Sequence, residues 1–253
     1  VQADFPQFLL RECAYAPDVR LPRHAHQYSN VTVVVGGHID ETSGDTEIRG
    51  QAFSVVFKPA GSEHANRVSG AGARTVSLAL RRGSELAATA AARPWSWFEQ
   101  PEIVRAAVSL VRALRAAPSA ADLEAHGFEL LAEVFAARCG SGSSARPSWL
   151  DEVTRILETR FDEPLRFDAI ARAVGVHPVY LSRAFQRYAG RSMQQYVRAL
   201  RLQRARQLLA ARGRTITEVA ADCGFADSSH LCRTFNDLLD VTPKVYRRLC
   251  GEV

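Results

Sequence analysis

The sequence predicts an α+β chain: a β-rich N-terminal part with flanking helices, followed by an all-helical C-terminal part. Three observations carry this. From Tyr28 to Leu80, short β-branched or aromatic runs (NVTVVV, HID, TEIR, AFSVVF, TVSLAL) alternate with glycine turns, the pattern of an antiparallel sheet or barrel. After Arg93 and Pro94 the period changes, and Glu102–Ala116 and Asp122–Arg138 read as two amphipathic helices broken at Pro118 and Ser119. Beyond the stretch CGSGSSAR, Cys139 to Arg146, the chain carries an internal repeat.

The length of 253 residues exceeds most single cores and makes two domains the natural expectation. The Gly/Ser stretch marks the division: residues 1–138 form one domain, 139–147 a linker and 148–253 the second. Charge divides unevenly about the same point. Residues 1–146 hold 15 Lys+Arg against 15 Asp+Glu, whereas 147–253 hold 17 against 12. Between Asp168 and Glu218 there are ten arginines and no acidic residue, a balance that suits a polyanion. A solvated helix face usually mixes both signs to gain i,i+4 pairs.

Five cysteines, at 13, 139, 223, 232 and 250, lack paired spacing and suggest a reducing compartment. Cys13, Cys139, Cys223 and Cys232 also raise a thiol- or metal-sensing reading, although unpaired cysteines more often serve as small buried hydrophobes. The opening VQADFPQF has no basic-then-apolar leader, and no eighteen apolar residues run together. The expected location is cytoplasmic, without membrane contact.

In the repeat, Leu181, Arg183, Phe185, Gly190, Ser192 and Tyr196 recur fifty positions on as Leu231, Arg233, Phe235, Asp240, Thr242 and Tyr246. Upstream, Ile170, Ala171 and Gly175 recur at offset forty-nine as Val219, Ala220 and Gly224. Each copy reads as two short helices. The first, Asp168–Val174 or Thr217–Cys223, carries a small alanine where the second must cross, and the glycine ends it in a sharp turn. The second begins after His177 and Pro178, or after Asp227 and Ser228.

With Leu181 and Phe185, and Leu231 and Phe235, facing inward at a spacing of four, the residues between them point outward. These are Val179, Ser182, Arg183 and Gln186 in the first copy, and Ser228, Ser229, His230, Cys232 and Arg233 in the second. Arginine can read guanine, serine and glutamine base edges or phosphates, and valine a thymine methyl. Between the copies, Met193–Arg212 reads as a helix capped by Ser192. Its roughly 30 Å length approaches one turn of B-DNA, about 34 Å.

These residues resemble the DNA-binding domain of the AraC/XylS regulator family over roughly Trp149 to Leu249. The second copy, ITEVAADCGFADSSHLCRTFNDLLDVTPKVYRR, carries most of the likeness. Two departures are Asp240, where the family usually has glycine, and Met193, where proline often follows the cap; Asp tolerates left-handed backbone and Met forms helix well. The resemblance implies a sequence-specific, ligand-responsive transcription regulator of double-stranded DNA, an activator contacting RNA polymerase, and a homodimer formed through Glu102–Ala116 and Asp122–Arg138.

His24 and His26 are two apart and share a strand face, Asn30 has the same parity, and PAGSEH places His64 after a turn. This HxH and PxGxxH arrangement resembles the cupin sensor domain, a small barrel, over Leu21 to Leu80. The resemblance implies an N-terminal cupin-like β-barrel with His24, His26, Asn30 and His64 in an effector cavity. Cupins that bind metal usually place a carboxylate where Asn30 stands. His24, His26 and His64 are nonetheless candidate ligands for a zinc-like divalent ion. The effector is then a small molecule or a metal. A metal-dependent cupin enzyme fused to a DNA-binding domain is the competing class, but no acid/base pair or intact metal-ligand triad supports turnover, and the expectation is that the chain is not an enzyme.

Overall fold

The computed structural model describes residues 1–116, 118–137, 148–211 and 213–251. Two compact units are distinguished, residues 1–139 with 236–253, and residues 140–235. The expected linker 139–147, Arg138, Cys139 and Arg212 lie outside the described residues.

The first unit is built on an eight-stranded antiparallel sheet. Its strands are β1 (Gln2–Asp4), β2 (Phe8–Tyr15), β3 (Arg20–Ala25), β4 (Asn30–Ser43), β5 (Thr46–Gly50), β6 (Val55–Lys58), β7 (Glu63–Leu80) and β8 (Ser96–Phe98). The order is β1-β2-β7-β4-β6-β8, with β3 on β7 and β5 on β4. Strand β7 spans 18 residues. Its second half pairs with β2 (Phe8 opposite Leu80, Tyr15 opposite Ala73), and its first half with β3 (His24 opposite His64). Strand β4 pairs with β7 on both sides of register shifts around Gly36 and Gly37. Gly37 has φ +69°, and a Cβ there would run into the Gly72 carbonyl oxygen. Only glycine accommodates this bend.

The barrel expected from sequence is corrected here: among the described residues no pairing joins β1 to β8, and the sheet is open. Both outer strands are three residues long, and each pairs with one neighbour only.

Alternation along the strands sorts two faces. Phe8 and Leu10, Val31, Val33 and Val35, Phe57, and Val76 and Leu78 are wholly buried on one of them. Helices α2 (Pro101–Arg115) and α3 (Ala120–Ala136) cover this side. Phe135 of α3 meets Phe57 edge-on, and Gly127 lies where a Cβ would strike Phe8. The expected break holds: Ser119 caps α3 in a reciprocal capping box with Asp122. A six-residue helix, α1 (Glu85–Ala90), follows β7 with Ser84 as its cap; no apolar periodicity announces it. The residues between, including Arg11, Cys13, Asn30, Thr32, Lys58, Thr75 and Ser77, line a cavity on the other face.

The second unit contains α4 (Ser148–Thr159), α5 (Phe167–Ala173), α6 (Pro178–Ala189), α7 (Met193–Ala210), α8 (Ile216–Asp222) and the beginning of α9 (Ser228–Leu239). Leu150, Val153 and Leu157 of α4 form one core with Ile170, Ala171, Leu181, Phe185, Met193 and Val197. His177, at the N-cap of α6, accepts from Val179 N–H, and Pro178 is the first helical residue. Ser192 caps α7 with Gln195 in a capping box, and Thr215 caps α8 with Glu218. Helix α7 spans 18 residues, about 27 Å at the usual rise. Asp240, after α9, adopts the left-handed conformation with φ 53°.

The last helix, α10 (Pro243–Gly251), groups with the first unit by contact. Tyr246 is wholly buried there, its hydroxyl donating to the Ala52 carbonyl over 3.1 Å and its ring 5.1 Å from Phe53.

The two repeat turns differ in tolerance. Gly175 and Gly224 have φ +71° and +73°, and a Cβ at 175 meets nothing within 4 Å whereas one at 224 would enter the Asp162 backbone. Gly175→Ala is expected to cost about 1–2 kcal/mol, the left-handed penalty alone. Gly224→Ala should cost roughly 1–3 kcal/mol more, because overpacking is added. Urea unfolding of the two variants side by side checks this; equal losses would contradict the difference in crowding.

Candidate functional site

The cavity of the first unit has a volume of about 460 Å³, within the range of small-molecule pockets. His24 on β3, His26 just beyond it and His64 at the start of β7 meet in its wall. Their ring centroids are separated by 5.1 Å (24 to 26), 4.4 Å (24 to 64) and 5.0 Å (26 to 64). One ligating atom from each lies within 4.8 Å of the others. The Pro59 turn positions His64 from the sequence upward: Gly61 N–H donates to the His26 carbonyl, and Ser62 N–H and Oγ both donate to the Pro59 carbonyl. The strand parity of His24 and His26 and the reversal before His64 therefore act together. Asn30 is buried in the same cavity, its Oδ1 accepting from Thr32 Oγ1 over 3.0 Å.

Hydrogen bonds orient two of the rings. His24 Nδ1 lies 2.8 Å from the Pro22 carbonyl, and His64 Nδ1 lies 3.2 Å from that of Ser62. A carbonyl only accepts, so each ring carries its proton on Nδ1 and turns its Nε2 lone pair away from that carbonyl, the one on His64 facing Lys58 Nζ at 3.5 Å. Backbone pinning of the non-ligating nitrogen is how metal-binding imidazoles are commonly held. Burial, followed by the nearby Lys58 ammonium and the other imidazoles, lowers the His26 pKa to about 4. Burial and Lys58 likewise hold His64 below the usual histidine value. At neutral pH both rings are uncharged, and the donor set fits a divalent ion that prefers nitrogen ligands.

Beside this cluster lies an ion pair that sequence reading missed. Lys58 Nζ is 2.6 Å from Glu41 Oε2, with side chains 6% and 1% exposed. Removing two charges from water is costly unless the remaining polar atoms are satisfied. Here Glu41 also accepts from Trp95 Nε1 at 2.7 Å and Asn66 Nδ2 at 3.2 Å, and Lys58 Nζ lies 3.5 Å from His64 Nε2. A sequence signal existed: a lysine ends the apolar run VVFK, and an acid interrupts β4. Cys13 also lines the cavity. Cys223 is buried, and burial pushes its thiol up to about 11. This disfavours the thiolate that redox sensing requires.

In the second unit, Leu181 and Phe185 of α6 are buried, while Val179, Ser182, Arg183 and Gln186 are exposed. Tyr180, 55% exposed, was missed and stands beside them. On α9, Leu231 and Phe235 are buried, and Ser229 and Arg233 are exposed. Ser228, His230 and Cys232 are half-buried. The His230 ring packs edge-on against Phe225 at 5.3 Å, so that part of its surface is spent on the fold. Asp227 caps this helix by accepting from His230 N–H.

Residues 170–249 match the helix-turn-helix domain family. This segment is a helix-turn-helix domain. The chain is 29% identical over 111 residues to the regulatory protein PocR of Salmonella typhimurium, covering 44% of this chain and 37% of the relative. It is 35% identical over 95 residues to the HTH-type transcriptional regulator ArgR of Pseudomonas aeruginosa, covering 38% and 29%. A solved structure from Chromobacterium violaceum, described as a transcriptional regulator with an AraC-type DNA-binding domain, is 35% identical over 41% of this chain and 93% of that one, with a TM-score of 0.39. The matches span less than half the length of each of the two curated relatives. No helix among the described residues is long and apolar enough to cross a membrane.

The lowered His26 pKa predicts an acid-side loss of stability. His26 has a folded value of about 4 against an ordinary 6.5, so the unfolded chain takes up this proton first as pH falls. Its contribution is complete above pH 6.5 and is lost as pH drops towards 4. The melting temperature of the full chain is expected to fall across this window, and less steeply in His26→Asn. Superimposable pH profiles for the two proteins would contradict the assignment.

Proposed function

We propose that this protein is a sequence-specific DNA-binding transcription regulator, with residues 148–253 reading DNA and residues 1–138 receiving an effector in the histidine-lined cavity. The observation that carries this reading is the outward presentation of Arg183 and Arg233 from two equivalent helices whose opposite sides are buried. Each arginine lies midway between a core leucine and a core phenylalanine, so packing aims the guanidinium away from the core. An arginine in this setting can make a bidentate contact to guanine in the major groove. The arginine-rich, acid-free stretch around them supplies phosphate attraction that is independent of sequence. The resemblance favours activation over repression, and the cavity favours binding without turnover.

The test uses DNA selected from a random pool by the full chain. Arg183→Ala and Arg233→Ala are each expected to lose about 1–3 kcal/mol of discrimination between selected and random DNA. Equal losses on both DNAs across a salt series would reduce the two side chains to phosphate anchors, and unchanged binding would refute this docking face.

Three convergent imidazoles, two of them oriented by backbone carbonyls, also support a divalent metal within the effector cavity, held by His24, His26 and His64. An ion there would keep a coordination position for water or effector. After dialysis against zinc, the protein should retain about one ion per chain, and His24→Ala/His64→Ala should lose it. Retention by the double variant would place the ion elsewhere.

A further inference from the structure

The charge inventory of the cavity indicates what kind of molecule it takes. Among the described lining residues, Glu41 is the sole carboxylate. Both of its oxygens are engaged, accepting from Lys58, Trp95 and Asn66, and its charge is already matched by Lys58. The cationic side is less spent. Lys58 has three protons to donate; one is directed to Glu41 and another to His64 Nε2. Arg11 lines the cavity from β2, opposite Ser77 of β7. Its guanidinium has no ion pair among the described residues. The neighbouring wall is apolar, formed by Leu9, Val34, Val56 and Trp97.

We infer that the cavity receives a small organic anion, a carboxylate with an apolar body, whose charge is met by Arg11 and Lys58 and whose body lies along Leu9, Val34, Val56 and Trp97. This rests on reading the cavity as the effector site and adds the class of effector. Unspent donors in a partly enclosed space favour a group that brings acceptors and negative charge. A neutral amide of the same shape can accept hydrogen bonds but lacks the charge, and an amine would meet two cations without a free carboxylate. A divalent ion on the three imidazoles would add positive charge and favour the same class.

The experiment compares isosteric pairs, hexanoate with hexanamide and benzoate with benzamide, by isothermal titration calorimetry on the full chain. It is run both metal-free and after zinc addition. The acids are expected to bind at least roughly tenfold tighter than their amides, with affinity falling as salt rises. Arg11→Gln is at the exposed rim and should leave the melting temperature unchanged while removing most of that preference. Lys58→Met with Glu41→Gln replaces the buried pair without leaving one charge alone, and should weaken the acids further. Amides binding as tightly as acids, or an unchanged acid preference in Arg11→Gln, would overturn the anion assignment while leaving the cavity an effector site. Binding of neither acid nor amide would overturn both readings.

Discussion

Strand β7 is the constraint on which the first unit depends. Its 18 residues serve as backbone partner to β2, β3 and β4, so a single register decides which side chains of four strands face the helices and which face the cavity. Because the side-chain period in a strand is two, a slip of one residue would send Val76 and Leu78 into the cavity and Thr75 and Ser77 against α2 and α3. The wholly buried Phe8, Leu10, Val31 and Val33 make such a slip expensive, since each large apolar side chain left in water forfeits about 1.5–3 kcal/mol. The polar cavity is thereby fixed by the apolar packing on the reverse face.

Within that frame, the cavity holds groups that a core built for stability alone would avoid. Replacing a buried ion pair by well-packed apolar residues is often neutral or favourable, yet Lys58 and Glu41 are nearly inaccessible and sit against three imidazoles. Their arrangement is organised: Glu41 is met from three directions, and two of the rings are steadied by backbone carbonyls. Such order among groups that are costly to bury is what a binding site requires, because its polar atoms must be in place before the ligand arrives.

The parts legible in sequence are those set by local chemistry. The repeat helices, their caps at Ser192 and Asp227, the turns at Gly175 and Gly224 and the left-handed Asp240 depend on neighbours a few residues away. The histidine cluster was legible for a related reason, since strand parity and a proline-glycine turn bring its members together. Arg11, Glu41, Lys58 and Trp97 were not, because they come from four strands whose adjacency follows from the order β2-β7-β4-β6-β8. Sheet closure was equally hidden, as it depends on what the two outermost strands pair with. Spacing also overstated the outward reach of His230 and Cys232: a helix turns only 100° per residue, and positions flanking the core stripe remain partly covered.

The unequal crowding of the repeat turns bears on how this domain can be re-engineered. In the first copy the turn before α6 is open, and Val179, Ser182, Arg183 and Gln186 stand clear of the core. In the second copy the turn presses on Asp162, and Ser228, His230 and Cys232 share their surface with the fold. A combinatorial library at these positions therefore has more folded members when randomised on α6 than on α9. The two halves of the repeat, alike in plan, are unequal in their tolerance of new side chains.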